Sequence, residues 1–367
     1  MPFVIPVFIP HQGCPHACIF CNQHRISGQG VDTPVTPAEV RETISLWLGR
    51  RRDRTADEVQ VAFYGGSFTG LPRPRQQELL RAVAPFLDSG QVRSIRLSTR
   101  PDYIDNERVA FLRAHGVAIV ELGVQSLDDR VLAASGRGHQ AAHTCRAVEF
   151  LRQGGMEIGM QLMLGLPAQS SRSLMRSVKQ TAELKPDFVR IYPVLVLRDS
   201  KLHALYEKKQ YRPLSLNNAV VKAAWMKKYL TARGIRVVRM GLQPGRELEK
   251  SLVAGPYHPA FGEMVGARIM LQQTRKLLRG AGKNRRRILS ISDRDASLFR
   301  GVHSRNIDRL RELGLADRFA LVTDRAQPRF TLRIMEAANN EDVTIQLNVG
   351  NDKNHQTVTV QQCPRLR

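Results

Sequence analysis

Three cysteines at C-x₃-C-x₂-C spacing directly after an apolar strand leave a chain little choice about what that strand's end must support. They are Cys14, Cys18 and Cys21 in Gly13-Cys14-Pro15-His16-Ala17-Cys18-Ile19-Phe20-Cys21-Asn22-Gln23, with the aromatic Phe20 just before the third. Thiolates at this kind of spacing can wrap one iron–sulfur cluster. A [4Fe–4S] cluster so held has one iron without a protein sulfur, open to a ligand that is not protein. The competing reading is a zinc knuckle. Structural zinc wants four ligands as two close pairs, and no second pair exists, because Cys145 and Cys363 are single and distant.

The rest of the chain alternates strand and helix. Phe3 to Ile9 reads as a buried strand running into the cysteines, and Thr36-Pro37-Ala38-Glu39 as a capping box opening a helix to about Leu48. Further strands are expected at 59–64, 94–99, 117–122, 157–164 and 187–192. Helices are expected at 73–87, 105–115, 139–153 and 171–184. Strands alternating with helices at this pitch mean βαβ units and a parallel sheet. The predicted fold is α/β, a partial (three-quarter) TIM-like parallel barrel. Such a barrel works at the C-terminal ends of its strands. There stand the cysteines, Gly65-Gly66-Ser67, Ser98-Thr99-Arg100, Gly123–Ser126 and Gly165-Leu166-Pro167.

After a helix at 216–233 and a strand at 235–240, the stretch 241–262 turns Gly- and Pro-rich. We therefore expect a core over 1–240, a loop and basic helix over 241–282, and a small α+β tail over 283–367. The tail should hold strands at 288–292, 318–323, 328–335, 343–348 and 355–360, and a helix at 304–313.

Charge and cysteine content limit the setting. There are 56 Lys and Arg against 33 Asp and Glu, a net charge of +23. Such a field attracts polyanions, of which nucleic acid is the commonest in a cell. The alternative is a solvated basic surface. Arg275, Lys276, Arg279, Lys283, Arg285, Arg286 and Arg287 crowd one segment and would form the stripe that tracks phosphates. The apolar start MPFVIPVFIP contains three prolines and no basic lead, so it reads as a strand and not as a signal peptide. No run is long enough to span a membrane. Five cysteines fit a reducing cytosol, and a cytoplasmic location is expected.

The cysteine loop resembles the cluster loop of the radical SAM superfamily. The resemblance implies a [4Fe–4S] cluster whose open iron takes the amine and carboxylate of S-adenosyl-L-methionine (SAM). It also implies an electron donor such as flavodoxin or ferredoxin. Gly65, Gly66 and Ser67 would then meet the amine end of SAM, with Phe20 nearby. LGVQSLDDRVLAASGRGH is similar to a segment of oxygen-independent coproporphyrinogen oxidase in which a glutamine and an arginine twelve apart bind SAM. Those roles fall on Gln125 and Arg137. That family's glutamate after the third strand aligns with Ser98, and its aspartate before Gly-Leu-Pro with Gln161, both uncharged here.

STRPDYI (98–104), VELGVQSLDDRVL (120–132), GLP (165–167) and PDFVRIYPVLVLRDSKLHALYEKKQYRPLS (186–215) resemble the radical SAM domain of the Elongator catalytic subunit. Those relatives modify the wobble uridine of tRNA and add an acetyltransferase domain, for which this tail offers neither the length nor a pyrophosphate loop. The expected function is a radical SAM enzyme that cleaves SAM reductively and modifies RNA, most readily tRNA. Two alternatives stand beside it. One is radical chemistry on a small molecule or tetrapyrrole. The other is a non-catalytic RNA-binding protein with a cluster or zinc.

Overall fold

The computed structural model describes residues 2–9, 13–14, 18–22, 34–51, 58–280 and 286–335. It divides into two compact units between Ile269 and Met270.

The first unit is built on one seven-stranded sheet. Its strands are β1 (Phe3–Phe8), β2 (Val59–Tyr64), β3 (Ser94–Thr99), β4 (Val117–Gln125), β5 (Glu157–Leu164) and β6 (Phe188–Pro193). After the two-residue strand β7 (Val196–Leu197) comes the seventh member, β8 (Arg236–Met240). The order is β1-β2-β3-β4-β5-β6-β8 and every pairing is parallel. Each crossover contains helix, as parallel neighbours require.

Alternation along the strands sorts the side chains. Val61, Phe63, Leu97, Leu122, Met160 and Ile191 belong to the core that packs under the helices. The residues between them face the other way: Gln60, Arg96, Glu121, Gln161 and Arg190. Arg190 on β6 reaches Tyr64 on β2, with three strands between them in the sheet. That contact requires the sheet to curl, so these polar residues line the inside of a partial barrel.

Local signals account for the element ends. Thr36 caps the helix Pro37–Gly49: its Oγ1 accepts from Glu39 N at 3.2 Å, and Glu39 Oε2 accepts from Thr36 N at 2.6 Å. The expected helix over 73–87 is two pieces, Arg73–Arg81 and Ala84–Asp88. β4 runs to Gln125, three residues past the expected end. Gly123 hid this continuation, and the ladder absorbs it through a register shift between Leu122 and Gln125. A short helix, Asp129–Ala134, also follows β4, in a stretch for which the sequence reading named no element. In the Gly- and Pro-rich stretch, the helix Arg246–Ser251 leads into β9 (Leu252–Ala254), which pairs antiparallel with β7.

The second unit has a three-stranded sheet. β10 (Arg287–Ser292) lies between β11 (Phe319–Asp324), parallel to it, and β12 (Leu332–Met335), antiparallel to it. Leu289, Ile291, Phe299, Leu310 and Phe319 form its core with Met270 and Leu278 of the long helix Phe261–Gly280. Asp295 is fully buried and takes bonds from Arg329 Nε at 3.0 Å and from Phe330 N. The helix expected at 304–313 is Arg305–Glu312. The strands expected at 343–348 and 355–360, together with Lys283, Arg285 and Cys363, lie outside the described residues.

Candidate active site at the strand ends

The cysteine loop is seated by a backbone-to-backbone contact. Gly13 has φ +71°, and a Cβ there would come 2.1 Å from Ser67 O. On the other side, a Cβ on Gly70 would come 2.1 Å from Gly13 O. Only glycine permits so close an approach, and Gly13 needs it for its left-handed φ as well. Gly13, one residue before Cys14, therefore lies directly on the loop after β2.

Cys14 is exposed, Cys18 buried and Cys21 intermediate. Cys21 N bonds to Cys18 O at 3.0 Å, closing a turn. Ile19 N donates to Ser135 O, and Leu202 N to Ile19 O at 2.8 Å. Asn22 Nδ2 donates to Arg198 O at 3.0 Å. Phe20 and Ile19 pack on an apolar cluster of Val131, Met163, Leu166, Val194, Val196 and Leu202. Phe20 thus anchors the loop to the ends of β5 and β6. Among the described residues no three Cys, His, Asp or Glu side chains are gathered closely enough to hold a metal ion as they stand.

After β2, Gly65 takes φ +93°. Ser67 is buried, and its hydroxyl sits 3.0 Å from Thr99 Oγ1 and accepts from Arg100 N at 3.2 Å. It ties the second strand's loop to the end of the third. Arg100 in turn forms a two-pronged pair with Asp102, Nε to Oδ1 at 3.0 Å and Nη2 to Oδ2 at 2.8 Å. Burial pushes the Asp102 carboxyl up, but the Arg100 bonds outweigh it and hold the carboxyl below its ordinary value.

Gln125 and Arg137 do meet at one place. Gln125 ends β4 at φ +64°, a conformation costly for a residue with a side chain. Its Oε1 accepts from Gln161 Nε2 at 3.1 Å. Arg137 Nη2 donates to Gly123 O at 2.5 Å, and Nη1 to Cys18 Sγ at 3.1 Å. Gly123 leaves room between them, since a Cβ there would lie 3.2 Å from Gln125 Nε2 and 3.4 Å from Arg137 Nη2. Ser98 lies on the inner face of β3, 3.4 Å from Phe63 O. So Cys18, Gln125, Arg137 and Gln161 are brought together, Ser67 and Phe20 serve the loops' seating, and Ser98 stands deeper in the barrel.

Two groups of residues escaped sequence reasoning. His139 is 4% exposed, and neither ring nitrogen has a partner; Arg137 Nε is likewise buried and unpartnered. The second group is the network below the strand ends. Arg190 Nη2 donates to Tyr64 Oη at 2.7 Å and to Glu121 Oε1 at 3.0 Å, and Tyr64 Oη donates to Glu121 Oε1 at 2.9 Å. Arg96 Nη2 lies 3.0 Å from the same oxygen, and Arg96 Nη1 donates to Gln60 at 3.1 Å. Burial, then the Glu121 charge, pushes the Tyr64 hydroxyl up. Phe188 stacks below Arg96, 5.3 Å from the guanidinium, over a position where only Gly159 fits, because a Cβ there would come 2.4 Å from its ring. The available signal was a single charged residue inside each apolar strand: Arg96, Glu121 and Arg190.

The family model "Radical SAM superfamily" matches residues 8–180, and the model "Radical_SAM C-terminal domain" matches residues 186–272. The chain belongs to the radical SAM superfamily. It is a radical SAM enzyme by its domains, and that superfamily works with a [4Fe–4S] cluster and SAM. The tRNA uridine(34) acetyltransferase of Methanocaldococcus infernus is 23% identical over 261 residues, 61% of this chain and 49% of that protein. Elongator complex protein 3 of Mus musculus is 24% identical over 295 residues, 65% and 53% of the respective chains. The chain therefore spans about half the length of these two relatives. The solved structure of the archaeal Methanocaldococcus infernus Elp3 superposes with a TM-score of 0.58 at 20% identity. The match covers 74% of this chain and 63% of that one, and it supports the partial-barrel fold.

The residues of this radical SAM chain fit those cofactors. Three thiols sit on one loop at the strand ends, and a buried guanidinium with an unpartnered Nε lies against one of them. Positive-φ glycines bring two loops' backbones to the same place. Among the described residues no helix is long and apolar enough to cross a membrane.

Proposed function

We propose that this chain cleaves SAM reductively at a [4Fe–4S] cluster held by Cys14, Cys18 and Cys21, and uses the product radical to modify RNA. Held by these three thiols, the cluster would supply the electron that reductive cleavage of SAM requires. The chain's own residues bind and orient. Arg137 gives a charge-assisted fork to the methionine carboxylate. Gln125 and Gln161, already bonded to each other, offer donors and acceptors toward the ribose, with Ser98 below them. Gly65 and Gly66 leave main-chain room at the amine. The single observation that carries this reading is the Arg137–Cys18 contact at 3.1 Å, which puts the arginine proposed to bind SAM against the cysteine loop.

RNA as substrate, and tRNA in particular, is supported by the names of the relatives and by the net charge of +23. A flavodoxin or ferredoxin is the fitting electron donor, and the cytoplasm the fitting compartment. Anaerobic incubation with SAM and dithionite should release 5′-deoxyadenosine. Comparing tRNA nucleosides from a deletion strain and its parent should show one modified uridine lost. Unchanged nucleosides with intact SAM cleavage would move the substrate to a small molecule.

A further inference from the structure

The inside of the curled sheet holds more positive charge than negative. Two guanidiniums share one carboxylate there: Arg96 Nη2 is 3.0 Å, and Arg190 Nε 2.8 Å, from Glu121. The three side chains are 8%, 18% and 6% exposed in that order. Among the described residues neither arginine has another acidic partner within salt-bridge distance. The neighbours in register add no negative charge, since Ser98 pairs with Glu121 and Gln161 with Arg190. Water screens such a site weakly, and an unmatched buried charge is costly. The arrangement is favourable where an anion completes it.

The approach to that charge is also built. Arg190 is the most exposed of the three. Tyr192, on the same face of β6, accepts from its Nη1 at 3.5 Å and keeps its own O–H to donate. Gln161 links this level to Gln125, which lies beside Gly123 together with Arg137, and Arg137 touches the cysteine loop. We infer that the barrel interior is a subsite for an oxyanion of the substrate, a phosphate or a carboxylate, received by Arg190 and Tyr192 while Glu121 and Arg96 hold Arg190 in place. This rests on the reading that SAM is cleaved at the strand ends above, yet it can be tested without either cofactor.

Inorganic phosphate and acetate serve as probes, titrated calorimetrically into the full chain. Glu121→Gln removes the only carboxylate of the triad and should tighten phosphate binding roughly tenfold, whereas Arg190→Gln should weaken it by about as much. Arg41→Gln, an exposed control, should change neither. A response to phosphate alone assigns a phosphate group, and one to acetate as well assigns a carboxylate. Equal affinity in all four proteins overturns the inference, because the anion then binds the basic surface and the triad is only structural. If both triad variants fail to fold, Tyr192→Phe decides, since it leaves the triad intact. Weaker phosphate binding supports the subsite and unchanged binding overturns it. Failure here leaves the cysteine loop's role standing, and loss of SAM cleavage in a cysteine variant leaves phosphate binding untouched.

Discussion

Arg190 donates to the Tyr64 hydroxyl at 2.7 Å across the inside of the sheet, tying the sixth strand to the second. The tie fixes the curl as well as the charge. Tyr64→Phe removes both this acceptor and the donor to Glu121. We expect it to destabilise the protein by about 1–3 kcal/mol, the scale of a bond to a buried charged group. Urea denaturation measures this, and an unshifted midpoint would show the bridge to be slack.

Cys14→Ala, Cys18→Ala or Cys21→Ala should each abolish the brown absorbance and the iron and sulfide of anaerobically reconstituted protein. Cys145→Ala, at an exposed helical position, should keep both. A full cluster in the triple variant would end the assignment.

Gly13→Ala should lower cluster content without touching a thiol. The added methyl would fall 2.1 Å from Ser67 O at a φ of +71°. The left-handed backbone alone costs about 1–2 kcal/mol, and the clash adds to that. Iron per chain, set against a circular-dichroism spectrum that stays native, is the measurement. Normal iron loading would mean that the two loops part without consequence.

Arg137→Ala should leave iron content near normal and weaken SAM binding by about 1.5–3 kcal/mol, the worth of a hydrogen bond to a charged group. Arg137→Lys keeps the charge but loses the fork, so it should recover only part of the affinity. Equilibrium dialysis with labelled SAM reads both, and equal binding in wild type and Arg137→Ala refutes the role.

His139 sets a pH dependence. Burial, with Arg137 and Arg100 adding to it, pushes its pKa down to about 3 from an ordinary value of 6.5. The unfolded chain therefore binds this proton more readily than the folded one across that window. Stability is full above pH about 6.5 and falls with acid toward pH about 3, at up to about 1.4 kcal/mol per pH unit from this one group. His139→Gln should flatten the slope of unfolding free energy between pH 6 and 4. An unchanged slope would place the acid sensitivity elsewhere.

Much of the first unit was legible because its signals are local. Strands β2, β3 and β5 begin and end where their apolar runs do, and Thr36-Pro37-Ala38-Glu39 makes the capping box it spells. The proximity of Gln125 and Arg137 was legible only through resemblance. Spacing alone does not reveal that Gln125 adopts a positive φ at a register shift, which places its side chain beside Gln161. Ser67 and Phe20 read as cofactor neighbours, whereas the structure gives one a hydrogen-bonded seat on Thr99 and Arg100 and the other an apolar seat. The Arg96–Glu121–Arg190 triad was hidden for a different reason. Its members come from three strands up to 94 positions apart, and only the curl of the sheet makes them neighbours.

The pressed backbones of Gly13 and Gly70 bear on how the enzyme matures. Until the loop between Gly65 and Leu71 has taken shape, the segment carrying Cys14 has no floor to rest on. Metal insertion is then a step that follows folding of the β1–β2 pair. A delivery protein would meet the β2 loop already in place, and iron and sulfide offered to the urea-unfolded chain should stay unbound until denaturant is removed.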